Sequence, residues 1–179
     1  ELLERVPVVD RKAQPTSENL RDAARLLDAN PDAAAFLPAW LLAISLNVEA
    51  GRLDDAISVA RNAVGRFPGQ IEPSQWATQL LMTDQRWPQA LTEAQEWRRR
   101  SLGNPLPVDA IIAGILLELA RPTEAVRQLT PHLAQIEAEA AAFPDRMATW
   151  IRSLAKAGDL ERAASLAAPL LAREVDWRR

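Results

Sequence analysis

The feature that most constrains this chain is a short corner motif that recurs four times and always ends in alanine. The copies read Gly51-Arg52-Leu53-Asp54-Asp55-Ala56, Gln85-Arg86-Trp87-Pro88-Gln89-Ala90, Ala120-Arg121-Pro122-Thr123-Glu124-Ala125 and Gly158-Asp159-Leu160-Glu161-Arg162-Ala163. The anchoring alanines lie 34, 35 and 38 residues apart, which is the length of two helices, the tight turn between them and a connector. Gly51 and Gly158 suit the positive φ that ends a helix. Pro88 and Pro122 stand where a helix opens, the place at which a missing N–H costs nothing. Asp54, Asp55, Glu124 and Glu161 fall in a first turn, where the helix dipole favours negative charge. The closing alanine is small because a short turn brings the two helices of a hairpin close together.

One unit carries further landmarks: between Leu37 and Gln70, the residues Trp40, Gly51, Ala56, Ala63 and Pro68 are regularly placed around the corner. In this spacing the stretch resembles the tetratricopeptide repeat family, in a divergent bacterial type. The second copy keeps Ala90 and Ala94, the third Leu116 and Ala125, the fourth Gly158, Ala163 and Ala167, so the resemblance extends over about Leu37 to Leu171. The second copy departs from the family, with Gln85 in place of the turn glycine and Trp97 where a small residue is usual, and a less regular hairpin is expected there. The resemblance implies an all-α, right-handed superhelical solenoid of antiparallel helix hairpins whose concave groove binds a partner.

The corners predict about nine helices, near 17–29, 34–50, 53–66, 72–84, 87–101, 107–119, 121–142, 145–157 and 159–173. The expected organisation is an extended N-terminal arm over 1–16 and a helical repeat domain over 17–179, with hairpins near 34–66, 72–101, 107–142 and 145–173. The first helix, opened by Thr16-Ser17-Glu18, reads as the second half of an incomplete repeat. Composition agrees, since Tyr is absent and Gly numbers only 6 among 179 residues, of which 48% are hydrophobic and 25% charged. Leu46, Ile57, Leu80, Leu91, Leu116, Val126, Leu129, Leu154 and Leu166 are expected to form a core running from hairpin to hairpin.

No reaction chemistry emerges from the residues. With no cysteine and a single histidine, His132, there is no thiol nucleophile and no multi-histidine metal site. His132 reads as structural, because it falls seven residues after Ala125 on the packing side of its hairpin. Glu137 and Glu139 are two apart in a helix, so they face different ways and read as solvated charges rather than a paired acid and base. No phosphate-cradling glycine loop or dinucleotide fingerprint occurs. We therefore expect no catalytic residues, cofactor or metal.

A net charge of -3, from 21 basic and 24 acidic side chains, leaves no excess to follow a phosphate backbone, so nucleic acid is not expected as a partner. The one basic run, Arg98-Arg99-Arg100, is expected to complement the negative end of a helix dipole. The strongest candidate for a membrane span, the apolar run Ala110 to Leu117, is far short of the roughly 20 residues needed, so a soluble segment is expected, cytoplasmic or periplasmic. The sequence opens at Glu1 without an initiator methionine, which suggests an excerpt of a longer polypeptide or a processed product.

What remains is a surface. Eleven residues before each anchoring alanine, on the inward face of the first helix, stand Ser45, Gln79, Gly114 and Arg152. Four residues further on come Glu49, Thr83, Glu118 and Lys156; about one turn earlier come Leu41, Gln75, Trp76, Ala110, Ile111, Ala148 and Thr149. The expected groove is polar with an aromatic centre at Trp76, and Arg152 with Lys156 on one face suits an acidic segment. A peptide or helical segment of a protein is thus the expected partner. Two other readings compete with this one: self-association through end hairpins, with Trp177 at the contact, and a noncatalytic arm of a larger enzyme.

Overall fold

The computed structural model describes residues 35–140 and 142–176; the expected arm over 1–16, the helix expected over 17–29 and Trp177 lie outside them. Every regular element among the described residues is helical. They are α1 (Leu37–Glu49), α2 (Leu53–Arg66), α3 (Glu72–Thr83), α4 (Trp87–Arg100), α5 (Leu106–Glu118), α6 (Pro122–Leu129), α7 (Leu133–Glu139), α8 (Pro144–Ala157) and α9 (Leu160–Asp176). None of α1 to α8 has a side-chain N-cap hydrogen bond; instead α1, α3, α4, α5, α6 and α8 carry proline at the first or second position. Proline is the start signal there, since its fixed φ is already helical.

The described backbone divides into two compact units, one up to Pro68 and one from Gly69 onward. In the first, α1 packs on α2, and Trp40 meets Phe67 edge-on with ring centroids 6.3 Å apart and planes at 77°. In the second, α3 pairs with α4, α5 with α6 and α8 with α9, while α4 also packs on α5 and α6 on α8. This is the helical-repeat architecture expected of an all-α chain of hairpins.

All four corners close in the same way. Gly51, Gln85, Ala120 and Gly158 have φ of 69°, 57°, 57° and 94°. The next N–H then reaches back five residues: Arg52 to the Asn47 carbonyl at 2.9 Å, Arg86 to Leu81 at 2.8 Å, Arg121 to Leu116 at 2.8 Å and Asp159 to Leu154 at 3.0 Å. This bond satisfies a carbonyl that the helix end would otherwise leave open. Gln85 thus closes its corner in the same geometry as the two glycines. Packing of α3 on α4 holds the residue left-handed despite a cost of roughly 1–2 kcal/mol for an L side chain. Behind the corners Ala56, Ala90 and Ala125 are fully buried and Ala163 nearly so.

Ile57, Leu80, Leu91, Leu116, Leu129 and Leu154 are buried as expected, whereas Leu46, Val126 and Leu166 are only half-buried. Val126 follows the buried Ala125 and is turned about 100° away from the packed face. At Leu46 the inward position passes to its neighbour Asn47, whose Nδ2 donates to the Ala43 carbonyl at 2.8 Å. Leu166 lies on α9, which no later described helix covers. A second difference concerns the helix expected over 121–142. It stops at Leu129, Thr130–His132 forms one 3-10 turn, and α7 resumes at Leu133. Pro131 is the reason, having no N–H for the carbonyl four residues back and a ring that crowds it.

Candidate functional groove

In the second unit the first helices of successive hairpins, α3, α5 and α8, border two open clefts that share Ile111. The first, of about 300 Å³, is lined by Gln75, Trp76, Thr78 and Gln79 from α3, Trp97 from α4 and Ile111 from α5. The second, of about 420 Å³, is lined by Met82 from α3 and by Ala110, Ile111 and Gly114 from α5. Asp145, Arg146, Thr149 and Arg152 from α8 form its other wall, and Pro107 also borders it.

Trp97 borders the first cleft from the second helix of its hairpin. It occupies a position where a small residue would let neighbouring helices close up, and it is buried. Helix α5 packs directly on α8, but no comparable packing joins α3 to α5. The Trp97 indole of α4 lines the first cleft together with residues of α3 and α5.

The polar residues of the wall are largely turned onto their own helix. Thr149 Oγ1 donates to the Asp145 carbonyl at 2.8 Å and accepts from an Arg152 guanidinium nitrogen at 3.3 Å. Thr83 Oγ1 likewise donates to the Gln79 carbonyl at 3.0 Å. Arg152 and Lys156 are both exposed, and neither pairs with a carboxylate among the described residues. Arg146, by contrast, is bound: it donates to Glu139 Oε2 at 2.5 Å and stacks over Phe143 at 4.0 Å from the ring centroid.

Away from the clefts, a polar cluster ties three hairpin elements together. The Asp109 carboxylate, whose side chain is only 3% exposed, accepts from Arg98 Nε at 2.8 Å and Gln128 Nε2 at 2.7 Å, and lies 2.6 Å from His132 Nε2. One buried acceptor on α5 thus gathers donors from α4, from α6 and from the turn at Pro131. This is the structural use of His132, and it gives Arg98 a carboxylate rather than a helix end to complement. Arg99 and Arg100 both bind Glu96. The Arg100 guanidinium, hydrogen-bonded to Glu96 and helped by the charge of Arg99, holds that carboxyl below its ordinary value. Arg121 does the same to Glu124 and is itself raised by the pair, through hydrogen bonds of 2.5 and 2.6 Å. Glu139 is not the solvated charge expected of it, since it accepts from Gln135 at 2.7 Å as well as from Arg146.

Of the residues singled out by sequence, Gln75, Trp76 and Gln79 line the first cleft and Thr149 and Arg152 the second. Thr83, Glu118 and Lys156 stand near the C-terminal ends of α3, α5 and α8 and line neither. Leu41 and Ser45, half-buried, and Glu49, exposed, stand on α1 in the first unit. Helical counting does not mark Trp97, Met82, Asp145 or Arg146 as groove residues. Trp97 is visible in the sequence as a departure from small residues, but its effect depends on how far α3 stands from α5. Among the described residues no group of three or more acidic, His or Cys side chains could hold a metal ion. No described helix is long and apolar enough to cross a membrane.

No family model and no curated relative matches the sequence. Solved structures do match in shape. One is YrrB, a TPR protein with an unusual peptide-binding site, at a TM-score of 0.62 and 15% identity over 83% of this chain and 73% of that one. A putative kinesin light chain of Podosopora anserina with nearly identical TPR-like repeats superposes in two crystal structures, one of them of a point variant. Their TM-scores are 0.68 and 0.65, each at 13% identity, covering 90% of this chain and 88% of that one. At such identities the likeness establishes the fold: a TPR-like helical repeat.

Proposed function

We propose that this chain, a TPR-like helical repeat, is a noncatalytic protein-interaction module that receives a peptide or helical segment along α3, α5 and α8. The observation that carries this reading is the pair of adjoining clefts on the first-helix side of the second unit, one aromatic and one edged by Arg152, which has no carboxylate partner among the described residues. Trp76 and Trp97 offer rigid apolar area of the kind that dominates binding energy when desolvated. Arg152 supplies a charge that a partner can neutralise. Gln75, Gln79 and Thr149 provide polar contacts around these anchors, and Thr83, Glu118 and Lys156 stand beyond them as the outer rim. The peptide-binding site of YrrB, a neighbour in fold, favours a peptide ligand here as well.

The test is selection of a randomised peptide library on the purified chain, repeated on Trp76→Ala and on Arg152→Glu. Truncating an aromatic anchor at such a site typically costs about 2 kcal/mol, or about thirtyfold in affinity. We expect enriched sequences to weaken by that order on Trp76→Ala. Enriched sequences that bind both variants as tightly as the parent would remove the groove from the account.

A further inference from the structure

A third cleft, of about 350 Å³, is lined by Gln95, Arg98 and Arg99 of α4, Ile112 of α5 and Gln128 of α6. Along α5, Ile112 is turned about 100° from Ile111 and about 200° from Ala110, so this cleft lies on a different face of the helix from the groove. Two residues of the basic run Arg98-Arg99-Arg100 thus border a space of their own.

Hydrogen-bonding capacity in this space is unbalanced. A guanidinium carries five N–H donors and no acceptor. Arg98 commits Nε to Asp109 Oδ1 at 2.8 Å, and its two terminal nitrogens make no hydrogen bond among the described residues. Arg99 pairs with Glu96 through one terminal nitrogen. Gln95 makes no side-chain hydrogen bond among the described residues, and Gln128 donates one amide N–H to Asp109 Oδ1 at 2.7 Å. None of the lining residues is acidic, so they set two amide oxygens against a surplus of N–H donors.

Asp109 gives that surplus a direction. Its buried carboxylate is held by donors from three elements and pins Arg98 by Nε, while the Arg98 side chain stays 39% exposed. A guanidinium fixed in this way presents its terminal nitrogens as a planar fork, the shape that receives both oxygens of a carboxylate. Orientation by a buried partner also removes much of the entropy loss that weakens ordinary surface ion pairs. Because Arg98 and Arg99 each already face one carboxylate, the cleft offers spare donors more than spare charge, which favours a singly charged carboxylate over a phosphate dianion. The buried Ile112 gives it an apolar lining. At roughly 30 Å³ per water, the volume corresponds to about a dozen waters, more than a bare ion fills.

From this arrangement we infer a second ligand site, between α4, α5 and α6, that takes a small organic monocarboxylate. The carboxylate sits on the Arg98 fork with Arg99 and the Gln95 amide as further donors, and the carbon skeleton lies against Ile112. The site is separate from the groove, and neither reading depends on the other.

The probe is benzoate, titrated into the 15N-labelled chain and followed by NMR at the arginine Nε–H and glutamine amide signals. Saturable shifts are expected at Arg98, Arg99, Gln95 and Gln128. Gln95→Glu places a carboxylate at an exposed position that has no bond to lose. It should weaken benzoate about tenfold or more while circular dichroism and thermal midpoint stay unchanged. Arg98→Lys keeps the charge but removes the fork and should weaken binding by a similar factor. Should that variant disturb the Asp109 cluster and fail to fold, Gln95→Glu decides alone. Benzamide, of the same shape without the charge, should not bind. Absence of saturable shifts overturns the inference, and so does unaltered benzoate affinity in Gln95→Glu or equal binding of benzamide. Shifts as large at the exposed Arg127 would show unspecific association, and shifts confined to the Trp76 indole would put the acid in the groove; either overturns it. Tighter binding of phenyl phosphate would replace the carboxylate by a phosphate, and tenfold tighter binding of acetyl-Gly-Gly-Phe with a free C-terminus would assign the cleft to a chain end rather than a small acid.

Discussion

Gln85 and Ala120 hold left-handed backbone that glycine holds at Gly51 and Gly158. Each carries torsional strain for a corner that its helices demand, so replacing either by glycine should relieve part of it. Setting the roughly 1–2 kcal/mol of left-handed strain against the extra unfolded-state entropy of glycine, we expect Gln85→Gly and Ala120→Gly each to stabilise the chain by about 0.5–1 kcal/mol. Urea unfolding midpoints measure this, and a fall in midpoint for both would show that those two side chains contribute contacts worth more than the strain. The buried carboxylate of Asp109 makes the opposite case. Asp109→Ala strands Gln128 and leaves Arg98 and His132 to find water at the protein surface. We expect a loss of about 2 kcal/mol, below the range for fully buried pairs because Arg98 is 39% exposed. An unchanged unfolding midpoint in Asp109→Ala would mean that the cluster adds nothing net.

At the scale of elements, α5 is the organising helix of the second unit. It is apolar on nearly all sides, with Leu106, Val108, Ile112, Ala113, Ile115, Leu116 and Leu117 buried, because α4, α6 and α8 all pack on it. The apolar run from Ala110 to Leu117 is thus a helix enclosed by neighbours. Toward α3 it is less covered, and there the buried Trp97 lines the cleft. Trp97→Ala removes a buried indole, which should cost about 3–5 kcal/mol if the cavity persists and less if α3 moves in to fill it. The second outcome would also shrink the cleft. Measuring stability together with peptide affinity separates the two, because a mild loss of stability accompanied by lost binding marks the collapse.

For the molecule as a whole, a net charge of -3 coexists with an α8 face on which Arg152 and Lys156 have no carboxylate partner among the described residues. Long-range attraction is therefore local to that face, and the formation of a complex with an acidic segment should be sensitive to salt. Raising ionic strength from about 0.05 to about 0.5 M shortens the screening length to a few ångströms and should weaken binding several-fold, mainly through the association rate. Stopped-flow measurements at the two salt concentrations check this; an association rate indifferent to salt would exclude an electrostatic role for α8. Anchoring by Trp76 predicts the complementary behaviour, a dissociation rate that rises on Trp76→Ala at either concentration.

Much of this architecture is local chemistry. Proline in the first turn, a corner residue and a small alanine behind it set where each helix begins, where it folds back and how closely its partner lies, so the hairpins were legible residue by residue. The same counting placed Gln75, Trp76, Gln79, Thr149 and Arg152 on first helices, because a helical register is a property of the helix alone. Tertiary structure decided the rest, through distances between elements remote in sequence. It kept Gln85 and Ala120 left-handed without glycine, set Asp109 among three donors from different elements, and left α3 standing off α5 above Trp97. None of these follows from a local pattern, since each depends on how much volume the neighbouring helices leave between them.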